Sequence, residues 1–325
     1  NINILLEAIE AALVSAYKRN FGTSQNVRVD MDRESGNVRV FSLRKVVDEL
    51  EDEFLEISLE DARQIDKNYK LGDFIEREVT PKNFGRIAAQ NAKQVVVQRI
   101  REAERSSIYE KFQEQEHEVI NGIVQRVEAR NVFIDLDKTE GILPLSEQIP
   151  NEEYRVNDRI KVYVAEVKKT TRRPQITLSR THPDLVKRLF EIEVPEIVQG
   201  DVIIKNIARE AGSRTKMAVY SLDNRIDSVG ACVGHRGSRV HQIVDELRGE
   251  KIDIVKWSED PEEYIANALS PSEVLDVYIN KEDKSAQIIV PDDQLSLAIG
   301  KEGQNARLAA RLTGWRIDIK SESQI

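Results

Sequence analysis

The chain has 325 residues, of which 40% are hydrophobic and 32% charged, and its formal net charge is −9. This composition is typical of a soluble globular protein and excludes a disordered chain. No apolar run approaches the roughly 18 residues that a membrane span needs, and no signal peptide opens the chain. The single cysteine, Cys232, excludes an internal disulfide and favours a reducing cytoplasm.

The N-terminal region, residues 1–115, predicts an α/β domain with one long helix. Apolar residues at helical spacing continue to residue 20, and Gly22 ends that helix. Alternating segments on both sides of residues 35–37 predict a β-hairpin. A long helix follows, with Thr80 as its predicted N-cap and Pro81 as its first residue. Its end, residues 101–115, is polar on all sides, as expected of a helix that connects domains.

Residues 116–182 change from a helical period to a period of two. Short alternating runs begin at five positions: Val119, Val132, Gly141, Arg159 and Gln175. Five short strands in one small region predict a closed β-barrel of the OB type. Alternation does not decide whether Phe133 and Tyr163 face the core or a surface on which bases stack.

The C-terminal part of the chain contains an internal repeat. Gly234-His-Arg-Gly237 is matched by Gly300-Lys-Glu-Gly303, and Leu247-Arg-Gly249 is matched by Leu312-Thr-Gly314. In each copy the order of the patterns is strand, helix, Gly-x-x-Gly loop, helix and strand. The repeat therefore predicts two copies of one module.

A Gly-x-x-Gly loop between two helices, found twice, resembles the KH domain in its type II strand order. Glycines let the loop backbone approach a sugar-phosphate chain closely, and the following helix offers amide hydrogens to phosphate. The resemblance implies that each loop clamps about four nucleotides of single-stranded RNA. A helix-turn-helix corner that needs small residues for packing is the alternative, and the duplication favours KH domains.

The barrel sequence ends in Ile-Thr-Leu-Ser-Arg at residues 176–180 and resembles an S1 domain. Five stretches are similar to bacterial transcription elongation and termination factors of the NusA family: residues 179–183, 188–197, 208–216, 245–254 and 296–309. The similarity extends to residues 84–95 and 101–105, and so covers essentially the whole chain. One departure is Asn157, which stands where S1 domains usually have glycine. Asparagine tolerates the left-handed conformation that such a turn needs.

The resemblance implies a multi-domain α+β protein with four domains. These are an N-terminal α/β domain that binds RNA polymerase, an S1 barrel, and two tandem type II KH domains, over residues 1–115, 116–182, 183–258 and 259–325. It also implies that the protein binds nascent single-stranded RNA and modulates pausing, termination and antitermination. Other elongation or antitermination factors are candidate partners, and we expect a cytoplasmic monomer that does not contact the membrane.

The competing class is an RNA-processing enzyme, or its RNA-binding subunit, because S1 and KH modules also accompany exoribonuclease cores. Residues 1–115 would have to hold its active site, but they contain no histidine and no recognisable carboxylate cluster for a metal. The four histidines, His117, His182, His235 and His241, show no metal-ligand spacing. We therefore expect a regulator that is not an enzyme and uses no metal or cofactor.

The predicted RNA contacts lie in the glycine loops, beside them and on the barrel. They are Gly234, His235, Arg236, Gly237, Arg239, Gly300, Lys301, Glu302, Gly303, Asn305, Arg307, Arg180, Arg214, Lys216 and Phe133. Residues 205–241 contain seven Lys or Arg and three Asp or Glu, and this surplus of four positive charges favours phosphate binding. Arg101 and Arg105, one helical turn apart, are candidates to face polymerase or an RNA hairpin. The alternative role for these two arginines is intrahelical ion pairing with Glu102 and Glu104.

Overall fold

The computed structural model describes residues 2–22, 25–223 and 225–324. The chain divides into two compact units, Asn1–Ser107 and Ile108–Ile325. None of the helices in the described ranges is long and apolar enough to cross a membrane.

The first unit is built on a four-stranded sheet. Its elements are α1 (Ile2–Phe21), β1 (Asn26–Met31), β2 (Val38–Val47), β3 (Glu56–Ser58), α2 (Leu59–Ile65), β4 (Phe74–Glu78) and most of α3 (Phe84–Glu114). Strands β1 and β2 form the predicted antiparallel hairpin, while β3 runs parallel and β4 antiparallel to β2. Gly22 follows α1 with a φ of 60°, so the predicted end of that helix is confirmed.

The core of the first unit lies between α1, the β1–β2 hairpin and the first turns of α3. Leu13, Val40 and Phe84 are fully buried in it. The ring of Tyr17 packs edge-on against Phe84, with the ring centroids 5.7 Å apart. Edge-to-face packing of this kind adds to the apolar burial that fixes the start of α3.

The start of α3 differs from the prediction. The helix begins at Phe84, and the Phe84 amide donates to the carbonyl of Pro81 over 3.0 Å. The Thr80 hydroxyl accepts from the Val40 amide over 2.9 Å and donates to Glu78 over 3.0 Å. Because the Thr80 side chain bonds to the sheet, it does not cap the helix, and the predicted N-cap is wrong.

The last turns of α3 belong to the second unit and are not polar on all sides. Phe112 is 1% exposed in the barrel core, and Ile108 and Tyr109 pack against that core. The predicted all-polar segment over residues 101–115 is therefore wrong from Ile108 onward. Ile108 and Phe112 are one helical turn apart, which is the spacing of an apolar stripe.

The second unit begins with a closed five-stranded barrel, as predicted. Its strands are β5 (Val119–Glu128), β6 (Asn131–Asp135), β7 (Glu140–Leu143), β8 (Arg159–Lys168) and β9 (Gln175–Ser179), joined in the order β5-β6-β7-β9-β8. Asn157 has a φ of 74° before β8, which confirms that it adopts the left-handed conformation of the expected glycine. Val124, Val162 and Ile176 are fully buried inside the barrel.

Two three-stranded modules of the same topology follow the barrel. The first contains α4 (Pro183–Glu193), α5 (Pro195–Val198), β10 (Val202–Glu210), β11 (Arg214–Ser221), α6 (Ser228–Val233), α7 (Ser238–Glu246) and β12 (Lys251–Lys256). The second contains α8 (Pro261–Ala268), β13 (Asp276–Asn280), β14 (Ser285–Val290), α9 (Leu295–Ile299), α10 (Gln304–Thr313) and β15 (Arg316–Ser321). In each sheet the first two strands are antiparallel and the last pair is parallel. The predicted type II KH topology is confirmed.

The second KH module packs on the sheet of the first. Ala208, Ala218 and Val255 of the first sheet share one hydrophobic core with Leu312 of α10. The hydroxyl of Tyr264, on α8, donates to the Leu312 carbonyl over 3.1 Å. Because the core is continuous, both glycine loops are presented by one packed body.

Candidate nucleic-acid interface

The two glycine loops, residues 234–237 and 300–303, have the same backbone conformation. Gly234 has φ 75° and ψ 173°, and Gly300 has φ 76° and ψ 171°. The third residue of each loop is left-handed although it is not glycine, with φ 51° at Arg236 and 54° at Glu302. Such a conformation is strained for a long side chain and is often held at functional sites.

Glycine is required at the first position of each loop because the loop lies directly on the following helix. A Cβ on Gly234 would lie 3.0 Å from the backbone nitrogen of Arg239, and one on Gly300 would lie 2.8 Å from that of Asn305. Their positive φ angles add strain for any other residue. The closing glycines are also left-handed: Gly237 and Gly303.

The variable side chains of both loops point into solvent. His235 and Arg236 are exposed in the first loop, and Lys301 and Glu302 in the second. Helices α7 and α10 begin directly after the loops, so their first amide groups lie beside the same exposed backbone. The predicted exposure is confirmed, and RNA contact by these residues stays a prediction.

Two side chains that were expected to contact RNA instead form hydrogen bonds inside their own KH module. Asn305 is 1% exposed and donates to the carbonyls of Leu269 and Ala298, each over 3.0 Å. A side chain so buried cannot reach RNA, so the prediction for Asn305 is wrong. Arg239 is half-buried and donates to Glu196 over 2.9 Å and to the Ala231 carbonyl over 2.6 Å.

Arg307 attaches the second loop to the first KH module. Its Nε and Nη2 donate to the Glu210 carboxylate over 2.6 and 3.0 Å, and its Nη1 donates to the Glu302 carbonyl over 3.1 Å. Gln304 also donates to Glu210, over 2.9 Å. The hydrogen bond from Arg307 lowers the pKa of Glu210 to about 2, so this carboxylate is charged at neutral pH. Arg307 therefore has a positioning role in the absence of RNA.

The positive surplus over residues 205–241 is largely neutralised. Lys216 is fully buried and donates to Asp253 over 3.0 Å and to the Ser270 carbonyl over 2.7 Å, and burial lowers its pKa. Arg214 is also near Asp253, at 3.6 Å. The prediction that Lys216 contacts RNA is wrong, because its ammonium group lies inside the protein. Arg214 keeps a side chain that is 21% exposed.

Two further cations of this stretch are paired with carboxylates. Arg209 forms a fully buried pair with Glu250, and Arg225 bonds to Asp223. Over the described residues of the stretch, Arg236 and Lys205 have no ion pair, and Lys205 lies over two aromatic rings. The positive charge available to phosphate is therefore smaller than the charge count predicts.

Arg180 joins the barrel to the first KH module. Its side chain is fully buried. It donates to the Glu152 carboxylate over 3.1 Å and to the Lys161 carbonyl over 2.8 Å on the barrel side. On the KH side it donates to the Glu246 carbonyl over 3.0 Å. The prediction that Arg180 contacts RNA is wrong, because its donors are used inside the protein.

The two aromatic residues of the barrel have different orientations. Phe133 lies on the outer surface of β6, between the core residues Val132 and Ile134. Tyr163 is 2% exposed and stacks on His182 with ring centroids 4.5 Å apart, so it is a packing residue. Phe133 remains a candidate for base stacking.

A basic loop between β8 and β9 was missed by the sequence prediction. Arg172 and Arg173 are exposed beside an open groove of about 520 Å³, which Thr139, Thr170 and Gln175 also line. The Thr170 hydroxyl accepts from the amides of both arginines, which organises the turn. Neither arginine has an ion pair within the described part of the chain. The run Lys-Lys-Thr-Thr-Arg-Arg at residues 168–173 was the available signal.

In the first unit, Arg101 lies on the exposed side of α3 and Arg105 is half-buried. Glu102, one of the expected intrahelical partners, instead pairs with Arg99 at 3.3 Å. The role of the two arginines stays a prediction.

The chemistry of a metal or thiol site is not evident in the described ranges. No group of three or more His, Cys, Asp or Glu residues in them is placed to hold a metal ion. Cys232 is fully buried, and burial raises the pKa of its thiol to about 12. The cysteine is therefore a small core residue.

A barrel followed by two type II KH modules, each with an exposed Gly-x-x-Gly loop, defines a multidomain protein of the S1–KH RNA-binding class. Family models match nearly the whole chain: the NusA N-terminal domain over residues 1–106, the S1 RNA binding domain over 113–179, and the NusA-like first and second KH domains over 180–257 and 261–325. The chain belongs to the NusA family.

Relatives along the full length agree with these matches. The transcription termination/antitermination protein NusA of Halalkalibacterium halodurans is 63% identical over 99% of this chain and 84% of its own length. The protein of the same name from Bacillus subtilis is 62% identical over 98% of this chain and 86% of its own. That of Mycobacterium tuberculosis is 44% identical over 99% of this chain and 89% of its own.

Proposed function

We propose that this chain is a transcription termination/antitermination factor that holds nascent single-stranded RNA with its S1 barrel and KH modules and binds RNA polymerase through residues 1–115. The observation that carries the proposal is the pair of glycine loops with matching backbone angles on one packed body. Each loop exposes backbone beside a helix N-terminus, where a phosphate chain can approach. The polymerase contact, the cytoplasmic location and action as a monomer rest on the family.

RNA binding by this surface depends on backbone and base contacts more than on net charge. The first loop supplies Arg236, while the second has one cation and one acid, Lys301 and Glu302. The barrel adds Phe133 for a base and the groove beside Arg172 for phosphate. The result is a binding surface of low net charge, on which electrostatic attraction contributes little to the affinity for single-stranded RNA.

The two units divide the work between polymerase and RNA. The fragment 108–325 retains the barrel core residues of α3, so it is the RNA-binding fragment to test, and 1–107 is the polymerase-binding fragment. We expect 108–325 to bind labelled RNA as tightly as the full chain does. We expect 1–107 to capture purified RNA polymerase, and Arg101→Ala/Arg105→Ala to weaken the capture.

The result that contradicts this division is capture of polymerase by 108–325 at the level of the full chain, with none by 1–107. Incubation of the full chain with labelled RNA and Mg²⁺ or Mn²⁺ tests the enzyme alternative at the same time. Shortened RNA would favour a nuclease, whereas intact RNA agrees with a binding factor.

A further inference from the structure

Arg126 covers the outward side of Phe133 on the barrel. The two residues are direct cross-strand partners of β5 and β6, next to a bulge between Val124 and Arg126. The Cζ atom of Arg126 lies 3.9 Å from the centroid of the Phe133 ring. A base that approaches this part of the barrel therefore meets the guanidinium group before it meets the ring.

Two carboxylates hold the guanidinium of Arg126 by its edges. Its Nε lies 3.0 Å from Glu128, its Nη2 donates to Glu140 over 3.0 Å, and its Nη1 also donates to Glu140. The Arg126 side chain is 39% exposed. Because the edges are occupied, the accessible part of the group is its flat face.

The charge of this cluster does not favour phosphate. One cation stands against two carboxylates, Glu128 and Glu140, so the cluster is negative overall. Guanidinium planes stack on nucleobases as aromatic rings do. The outer oxygen lone pairs of the two carboxylates can accept hydrogen bonds from amino groups at the edge of a stacked base, as acidic side chains accept from cytosine N4.

We propose that Arg126, backed by Phe133 and held by Glu128 and Glu140, is the base-stacking platform of the barrel, and that it takes a nucleobase with an exocyclic amino group. The inference rests on the proposed RNA binding and adds a residue and a base class to it. Adenine and cytosine carry such an amino group, whereas uracil presents carbonyl oxygens at both exocyclic positions. At its exocyclic positions uracil therefore faces acceptor against acceptor, and its N3–H is the one donor left on that edge.

The adjoining groove gives the RNA backbone a place to continue. Ile142 pairs in register with Phe133 and also lines the groove beside Arg172 and Arg173. Glu140, which holds Arg126, lines the same groove. A base on the platform therefore has the two unpaired arginines of the groove nearby, and their positive charge offsets that of Glu140 for a phosphate bound there.

The competing explanation is that Arg126 and Phe133 form a cross-strand pair that only stabilises the barrel. The first unit contains a stack of the same composition. Arg28 lies over Phe41 with its Cζ 4.8 Å from the ring centroid, and it is bonded to Glu76 over 3.3 and 3.0 Å. Arg28→Lys is therefore the matched control for Arg126→Lys.

The test measures binding of the full chain to adenine-only, cytosine-only and uracil-only RNAs of equal length. Arg126→Lys keeps the charge and removes the plane. We expect it to weaken binding of the adenine and cytosine RNAs about fivefold, at the low end for one stacked base, and to leave the uracil RNA unchanged. Phe133→Leu should act in the same direction, Glu140→Gln should reduce the preference over uracil, and Arg28→Lys should change nothing.

The unfolding midpoint of each variant separates a lost platform from a damaged barrel. Wild-type affinity of Arg126→Lys for all three RNAs overturns the proposal, and so does an equal loss for all three. If Arg126→Lys lowers the unfolding midpoint, the test rests on Phe133→Leu and Glu140→Gln. These variants should then lose affinity for the adenine and cytosine RNAs relative to the uracil RNA. If the wild-type chain binds none of the three RNAs, the proposed RNA binding fails and the platform fails with it.

Discussion

The two KH modules fill three equivalent positions with different chemistry. In the first, Arg209 and Glu250 form an ion pair with both side chains 0% exposed, and Thr215 donates to Glu250 over 2.6 Å. Strand register and the sequence repeat place three apolar residues at these positions in the second module: Ile279, Ala286 and Trp315. The same backbone therefore accepts an ion pair or a hydrophobic contact at one site.

The buried pair shows that a basic residue in the sequence does not always add positive charge to the surface. Burial alone would raise the pKa of Glu250, but hydrogen bonds from Arg209 and Thr215 lower it, so the pair is charged inside the protein. The exposed loops of the two modules also differ in charge. Arg236 carries charge into solvent in the first module, whereas Glu302 stands at the same place in the second.

The largest expected effect is on stability, from breaking the buried pair of the first module. Arg209→Met removes the partner of a fully buried carboxylate, and loss of one partner of a buried pair costs about 3–5 kcal/mol. We expect the free energy of unfolding of the 108–325 fragment to fall by about this amount in urea titration.

The apolar residues at the equivalent positions of the second module provide the control. Arg209→Ile/Thr215→Ala/Glu250→Trp transfers that module's residues to the first, and apolar replacement of a buried pair is often neutral. We expect this triple variant to recover most of the stability that Arg209→Met loses. Equal instability of the two variants would show that the first module cannot use the packing of the second.

The next prediction compares the contributions of the two glycine loops to RNA affinity. Asp at His235, Arg236, Lys301 and Glu302 repels phosphate where the backbone approaches it, and we expect binding to weaken more than about tenfold. The first pair alone should account for most of the loss, because it removes the unpaired Arg236. Unchanged affinity in the folded quadruple variant contradicts the role of the loops. Arg225→Asp, on a side chain 89% exposed outside the loops, is the control for a charge reversal away from the glycine loops.

Much of this fold could be predicted from local pattern. The repeat located both loops, because glycine is needed wherever a Cβ would strike the next helix, as at Gly234 and Gly300. The alternation of residues 119–179 predicted the barrel, and Asn157 was correctly expected to adopt a left-handed turn. These features depend on residues that are neighbours in sequence.

The errors concern residues whose partners are distant in sequence. Arg180 bonds to carboxylates 28 and 66 residues away, and Lys216 to one 37 residues away. The charge count over residues 205–241 could not include such a partner, so Lys216 was taken for a surface cation. Arg180, outside that window, was predicted as an RNA contact although its partners lie in distant segments. The barrel contact of Phe112 was missed for a related reason, because two apolar residues in a charged helix gain meaning only from the barrel they cover.

A smaller effect is the salt dependence of RNA binding. Each neutralised phosphate of a single strand contributes a slope of about −0.7, and about three contacts give a slope near −2. Doubling the salt concentration should then weaken binding about fourfold. The variant His235→Asp/Arg236→Asp should show a shallower slope than the variant at Lys301 and Glu302. A wild-type slope steeper than about −6 would show a larger basic surface than the loops and groove provide.

The smallest effect at neutral pH concerns Glu210, which connects the two modules. Its pKa is lowered from 4.5 to about 2, first by the hydrogen bond from Arg307. A carboxylate with a lowered pKa in the folded state contributes stability that is fully present above its unfolded pKa and is lost as pH falls through its folded pKa. The contribution of Glu210 should therefore be constant from pH 8 to about 5 and should disappear between about 4.5 and 2.

Glu210→Gln isolates this contribution, because both proteins lose their other carboxylate interactions equally in acid. The measured quantity is the difference in free energy of unfolding between wild type and Glu210→Gln across the pH range. We expect a constant difference above pH 5 that shrinks toward zero in the acid window, since protonated Glu210 resembles Gln. A difference that stays constant down to pH 2 would mean that Arg307 does not hold Glu210 in its charged form. The link between the second loop and the first module would then rest on the shared apolar core of Ala208, Ala218 and Leu312.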